Sequence, residues 1–319
     1  MSAISTLKKQ GGLQLLKRYA KSGALFTALA EFLLLGKSKK ALEILRLSAD
    51  FKTKKKLEKK YAKRLEVFNS EYTVSCPHIQ SNKVWVCWFQ GMDEAPELVK
   101  KCYESLKRNL RDREIILITS KNLNDYVKFP DYIIEKWNQG IITHTHMTDL
   151  LRLELLITYG GTWIDATVLC TRDIDEIPKY YFDSDLFFYQ TLKPGRDGQA
   201  TVLSSWYMSA ATNNKILMAT RYLCYDYWKK NNDMVDYFLL HDFFQIVLEY
   251  YEEDWHAVVP VSNSAPHILL LRLFDKYDEK MLEYIKGQTP FHKLSYKFTE
   301  EQKNRGDTFY KYVVGEKNE

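Results

Sequence analysis

Short apolar runs alternate with longer stretches of helical spacing along most of the chain. Val84-Trp-Val-Cys-Trp-Phe89 is a continuous β-prone run that stops at Gln90-Gly91, the form of a strand buried on both faces. Pro96 to Asn109 has helical spacing with proline in its first turn, and Glu114 to Thr119 is a second apolar run, which gives β-α-β. A short helix within Asn124 to Gly140 and a short strand at Ile141-Ile142 lead to a segment in which apolar residues fill most of 150 to 157. Gly160-Gly161 ends that helix, because glycine enters left-handed conformations without a Cβ penalty. Trp163-Ile-Asp-Ala-Thr-Val168 then reads as a strand whose period of two puts Trp163, Asp165 and Thr167 on one face. Leu186 to Tyr189 and Ser205 to Met208 read as strands, and Asn214 to Lys229 as a helix rich in aromatic residues. Lys193 to Gly198 is a turn-rich loop, suited to a flexible segment over a site. The alternation predicts an α/β fold with a doubly wound Rossmann-type sheet and a ligand at the carboxyl ends of its strands.

Residues 5 to 70 differ from this pattern. They read as two or three helices broken near Gly36-Lys-Ser-Lys-Lys40, with Lys52 to Lys63 as a highly charged final helix. Two regions follow, a basic helical one over 1–70 and a catalytic domain over 71–319. Charge separates them further: residues 1 to 65 carry 17 Lys and Arg against 4 Asp and Glu, whereas the remainder carries 29 against 37. Leucine and phenylalanine clusters between the lysines suit amphipathic helices lying on an anionic membrane surface. The plainer alternative is a helical appendage packed on the catalytic domain, and the two are compatible. Nucleic acid is not expected as a partner, since only the basic segment argues for it and no recognition module accompanies it.

Size, with 319 residues and 45% hydrophobic composition, is enough for one large core or a core with a small appendage. The five cysteines are odd in number and lack CxxC spacing, so neither a disulfide framework nor a zinc ribbon is indicated and a reduced, cytoplasmic setting is expected. The apolar run from Ala24 to Leu35 is interrupted by Thr27 and Glu31 and is too short for a bilayer, so peripheral attachment to the inner face of the cell membrane is expected. His144-Thr-His146 has the spacing of two ligands on a strand face, but no third zinc ligand lies nearby in sequence.

Asp149 and Arg152 stand three apart and share one helix face, so both can address one ligand. With Gly160-Gly161-Thr-Trp163-Ile-Asp165-Ala166-Thr167, this stretch resembles the Ser-Asp-x-x-Arg … Gly-Gly-x-Tyr-x-Asp-x-Asp pattern of DxD-type sugar-binding glycosyltransferases. It is most similar to their capsular polysaccharide synthesis branch, which is GT-A-like and related to the toxin-type glucosyltransferases. The resemblance runs from about Val84 to Lys297 and is strongest over 146 to 168 and at Trp88-Phe-Gln-Gly91. It implies a retaining transfer of a hexose from a UDP-sugar to a polyprenyl-diphosphate-linked oligosaccharide. The other readings are a glycosyltransferase acting on protein and a non-catalytic sugar-nucleotide-binding assembly subunit.

The resemblance also implies roles. Trp88 or Phe89 stacks on the base, Asp149 and Arg152 hold the donor sugar's hydroxyls, and Asp165 stands between ribose and sugar. Trp163 and Ala166 belong to the donor-binding motif, and Asp236 or His241 serves as base or acceptor binder, Asp236 counting with Asp149, Arg152 and Asp165 among the catalytic residues. Thr167 stands where the second aspartate of Asp-x-Asp belongs, and hard divalent cations prefer carboxylates. A Mn²⁺ or Mg²⁺ ion on Asp165 and Thr167 is therefore expected to bind weakly or only with the donor. His292, Lys293 and Lys297 in Phe291-His-Lys-Leu-Ser-Tyr-Lys297 are the expected cations for the departing diphosphate.

Overall fold

Residues 12–72, 78–192 and 200–315 are described in a computed structural model of the chain. Residues 1 to 11 and the loop expected at Lys193 to Gly198 lie outside them.

Among the described residues, seven strands form two sheets: β1 (Lys83–Cys87), β2 (Glu114–Ile118), β3 (Gly161–Ile164), β4 (Val168–Cys170), β5 (Leu186–Gln190), β6 (Leu203–Ala210) and β7 (Phe291–Lys293). The main sheet has the order β2-β1-β3-β6-β5, and β4 pairs with β7 in a small second sheet. Strand β1 runs parallel to β2 and β3, whereas β6 runs antiparallel to β3 and β5. The expectation of an α/β fold with a Rossmann-type sheet and an N-terminal helical region is met. Doubly wound parallel order holds only for β2-β1-β3, because β6 runs antiparallel to both β3 and β5.

Burial on both faces explains the unbroken apolar runs. Val84, Val86, Ile164, Phe187 and Tyr207 belong to one core cluster, while Trp85, Trp163, Phe188 and Met208 belong to the cluster on the opposite face. The second cluster packs against α7 (His144–Tyr159), α8 (Lys215–Lys230) and α9 (Leu239–Tyr250), numbered after α5 (Glu97–Asn109) and α6 (Asp131–Asn138). No strand forms at Ile141-Ile142, which bends into the N-terminus of α7. Thr143 caps that helix by accepting a hydrogen bond from the His146 N–H at 3.2 Å.

The exit of α7 requires its two glycines. Gly160 and Gly161 have φ of 64° and 93°, and a Cβ on Gly161 would lie 2.3 Å from the Lys83 carbonyl oxygen on β1. The Trp85 indole then donates to the Gly160 carbonyl at 2.9 Å, which locks the helix exit to the neighbouring strand.

The N-terminal region forms α1 (Gly12–Ser22), α2 (Leu25–Leu35), α3 (Lys39–Tyr61) and α4 (Lys63–Glu71). Gly36 ends α2 at a φ of 78°, as the expected break predicts, but Lys52 to Lys63 is not a separate helix. It continues α3, where Ala41, Leu45, Ala49, Thr53, Leu57 and Tyr61 recur every fourth residue as a buried stripe and leave most lysines on the other faces. Leu57, Tyr61, Leu65 and Phe68 share one core cluster with Trp85, Tyr227 and Phe243. Helices α3 and α4 are thus packed on the sheet-bearing body. Phe26, Leu33 and Leu34 of α2, by contrast, are each 82% exposed.

Candidate active site

A cavity of about 960 Å³ opens at the carboxyl ends of β1 and β3. Of the residues expected from sequence, Trp88, Phe89, Asp149, Arg152, Trp163, Asp165, Ala166, Thr167, Asp236, His241, Lys293 and Lys297 all line it. They come from elements far apart in the chain.

Helix α7 supplies Asp149 and Arg152. The guanidinium donates from Nη1 to Asp149 Oδ1 at 2.7 Å, and its Nη2 approaches Asp165 Oδ1 at 3.4 Å. Its carbon lies 5.0 Å from the centre of the Trp163 ring, close enough for a cation–π contact. Behind it, Trp228 Nε1 donates to His146 Nε2 at 3.0 Å, which leaves the proton on His146 Nδ1, 3.3 Å from Asp149 Oδ2. Burial alone would raise the Asp149 carboxyl, but Arg152 and the His146 hydrogen bond outweigh it and hold the group below its ordinary value. His144 is bonded elsewhere, accepting at Nδ1 from Trp137 Nε1 at 3.1 Å. Both histidines sit on α7 rather than on a strand, and no metal-binding group of three appears among the described residues.

Strand β3 stops at Ile164, one residue before the carboxylate. The expected six-residue strand is instead a four-residue strand and a turn, closed by the Val168 N–H donating to the Asp165 carbonyl at 3.0 Å. Trp163 and Asp165 still face the same way, since the indole Nε1 donates to Asp165 Oδ1 at 2.9 Å. The turn delivers the chain to β4, whose partner β7 sets Lys293 opposite Val168. From there Lys293 Nζ donates to Asp165 Oδ2 at 2.7 Å and to Thr167 Oγ1 at 2.6 Å. Burial tends to raise the Asp165 carboxyl, yet the charges of Lys293 and Arg152 with the Lys293 and Trp163 hydrogen bonds bring it below its ordinary value.

Strand alternation separates His292 from Lys293. His292 is fully buried, does not line the cavity, and sits 3.1 Å through Nε2 from the Thr171 hydroxyl. Burial, with Lys286 and Arg172 nearby, lowers it to about 4, so it is a neutral core residue rather than a cation for a diphosphate. Lys297 lies exposed at the cavity edge, and the Trp88 ring packs edge-on against Tyr296 at 5.3 Å. Phe89 packs instead against Trp137 at 5.4 Å.

A second set of carboxyls in the same cavity was only partly legible. Asp236, read from sequence, lies with Asp242 of α9 and with Asp50, which α3 brings in. Burial, with Asp236 next, raises Asp50 to about 7; burial also raises Asp236, and with the charges of Asp236 and Asp50 raises Asp242. Asp50 is one acidic residue in a lysine-rich helix, and no local pattern marks it.

The residues do not fit a divalent ion by themselves. Asp165 is the single carboxylate of the motif; Lys293 sits on one of its oxygens, Trp163 and Arg152 on the other, and Thr167 offers a neutral oxygen already bonded to the same ammonium. Several buried polar atoms are nonetheless left open for a ligand: Trp88 Nε1, Arg152 Nε, His241 Nδ1 and Asp242 Oδ2 have no hydrogen-bond partner, and all four residues line the cavity. A buried polar atom without a partner costs about 1–3 kcal/mol, so four around one cavity mark a place completed by a polar ligand or water.

An α/β sheet with this acidic and basic cleft at its strand ends has the site pattern shared with sugar-binding glycosyltransferases. The chain belongs to the capsular polysaccharide synthesis protein family, which matches residues 37–313. That match takes in α3 and α4 and is longer than the 84 to 297 expected from the motifs. The chain is similar to the O-glycosyltransferase PaGT of Phomopsis amygdali, with 25% identity over 147 residues, 41% of this chain and 35% of that protein. It is also similar to the O-glycosyltransferase braB of Annulohypoxylon truncatum, with 30% identity over 110 residues, 32% of this chain and 26% of that one. The aligned stretch thus spans about a quarter to a third of these curated relatives. Among solved structures, the PaToxG glycosyltransferase aligns over 82% of this chain and 96% of its own, with 15% identity and a TM-score of 0.38.

Proposed function

We propose that the protein is a glycosyltransferase that takes a hexose from a UDP-sugar and delivers it, with retention, to a hydroxyl of a lipid-linked oligosaccharide. The observation that carries this is the joined set Asp149, Arg152, Asp165 and Lys293 in one cavity with Trp88 and Phe89. Hydroxyl-rich sugars need fixed charged acceptors and donors, a diphosphate needs cations, and a uracil needs an aromatic face; the cavity lining offers each. The bond from anomeric carbon to diphosphate oxygen breaks with its electron pair leaving on that oxygen. The acceptor oxygen bonds to the same carbon, and its proton passes to the departing diphosphate.

The acceptor side of the reading rests on Tyr237 and Phe238, which line the cavity and are 47% and 48% exposed, beside Asp236. Attachment to the inner face of the membrane rests on α2. Its exposed Phe26, Leu33 and Leu34 are followed by exposed Lys39 and Lys40, an apolar wedge with basic residues that suits anionic lipid. No helix among the described residues is long and apolar enough to cross a membrane.

A panel of UDP- and GDP-sugars, followed by released nucleotide and by label extracted into lipid from membranes, tests donor and acceptor together. Release from no donor sinks the enzymatic reading, and label found on protein rather than lipid sinks the acceptor. Replacing Leu33 and Leu34 by serine is expected to abolish cosedimentation with anionic vesicles, and undiminished binding would remove α2 as the anchor.

A further inference from the structure

We infer that Lys293 is the built-in cation of the donor site, so that the leaving diphosphate is met by a fixed ammonium rather than by a divalent ion held on Asp165 and Thr167. This rests on the donor reading above and deepens it.

The argument is geometric. The lysine is placed by a strand pairing, β7 on β4, with Lys293 opposite Val168, and its neighbour His292 is locked in the core. Its side chain is only 20% exposed, and Nζ is held between Asp165 Oδ2 at 2.7 Å and Thr167 Oγ1 at 2.6 Å. Those two side chains are the ones that an ion in the motif turn would use. A divalent ion binds a carboxylate oxygen at about 2.0–2.6 Å, so an ion on Asp165 Oδ2 would crowd the ammonium. Like charges about 4 Å apart repel strongly at the dielectric of a protein site. Arg152 and Trp163 approach the other oxygen, Oδ1, so the one lone-pair site left is on Oδ2, beside the ammonium.

Threonine in place of a second aspartate has its own reason here. An aspartate at 167 would add a second negative charge to the turn, whereas the hydroxyl accepts one of the three ammonium hydrogens and leaves the net charge of the Asp165–Lys293 pair near zero. The third hydrogen remains for a phosphate oxygen. As the bond from anomeric carbon to diphosphate oxygen breaks, the electron pair moves onto that oxygen, and the ammonium offsets the new charge by hydrogen bonding without giving up its proton. A donor aimed at developing charge in this way typically contributes a factor of about a hundred to a thousand in rate.

The test compares UDP with uridine by calorimetry and donor hydrolysis with and without EDTA. The full chain is expected to bind UDP and to turn over donor equally with and without EDTA. Lys293→Gln is expected to lose about a hundredfold in turnover and at least tenfold in UDP affinity while keeping its affinity for uridine, because only the diphosphate contact is removed. A purely structural lysine would weaken both ligands together. Should Lys293→Gln fold poorly, the chelator comparison on the unaltered chain still decides. UDP binding that vanishes in EDTA and returns with Mn²⁺, or a Lys293→Gln protein with an unchanged ratio of UDP to uridine affinity, overturns the inference while leaving the donor reading intact. Absence of UDP binding under every condition overturns both.

Discussion

Two groups of aspartates line the same cavity in opposite electrostatic settings. Asp149 and Asp165 each touch a cation, and both are held below the ordinary carboxyl value despite burial. Asp50 and Asp242 are pushed up by burial and by the neighbouring carboxyls, and Asp236 by burial; Arg46, Lys54 and, at Asp236, the Phe238 N–H and Arg18 oppose the effect without outweighing it. The difference lies in partners rather than burial, since both groups are desolvated. A carboxylate with a fixed cation keeps its charge through any physiological pH and holds a ligand in one orientation. Asp50, raised to about 7, carries a proton just below neutrality, and a protonated carboxyl both donates and accepts hydrogen bonds.

The largest effect expected comes from removing the segment that supplies Asp50 to the second group. Deleting residues 1–71 takes away Asp50 and also Leu57, Tyr61, Leu65 and Phe68 from the shared core. At about 1.5–3 kcal/mol for each buried side chain, against a net stability of about 5–15 kcal/mol, the remainder should show no cooperative thermal transition. A soluble truncated protein that melts cooperatively would mean that the sheet-bearing body stands alone.

Next in size is Asp165→Asn, which removes the charge shared by Lys293, Arg152 and Trp163. Turnover should fall by at least about a hundredfold with the fold intact. Near-normal rates in a folded variant would dissolve the distinction between the two groups. If the acceptor lies on the Asp236 side, as proposed, Asp236→Asn should slow transfer to acceptor about tenfold and leave donor hydrolysis unchanged, because one hydrogen-bonding group is altered. Equal losses in transfer and hydrolysis would place Asp236 with the donor.

The smallest effect is a pH dependence of stability. Because the folded state holds the Asp50 proton up to about 7 whereas the unfolded chain releases it near 3.8, the folded state binds more protons between these values. Stability from this group is therefore fully present below about pH 4 and is lost as pH rises through 7. Asp50→Asn should melt higher than the unaltered chain at pH 8, by a margin that closes as pH falls toward 4. A constant difference across that range would show that Asp50 titrates normally.

Local pattern determined a great deal in this chain. The apolar runs of β1, β2, β5 and β6, the glycine pair that ends α7, and the Asp149–Arg152 face all follow from neighbours within a few residues, so local pattern found them, whereas the close approach of Gly161 to Lys83 needed the pairing of β3 with β1. What sequence could not show was where β3 ends, since the apolar alternation of 163–168 continues through a turn that only the Leu294–Thr167 and Val168–Asp165 backbone bonds define. Nor could it tell Lys293 from His292, adjacent and both polar: the pairing of β7 with β4 sends one to the cavity and the other into the core. Asp50 entered the cavity, and the basic helix α3 entered the core, because a stripe of every fourth residue packs α3 against α9, some two hundred residues later in the chain. Side-chain type and spacing act locally and are written in order along the chain; burial, and the partner that decides whether a carboxyl is charged, depend on residues brought together by packing alone.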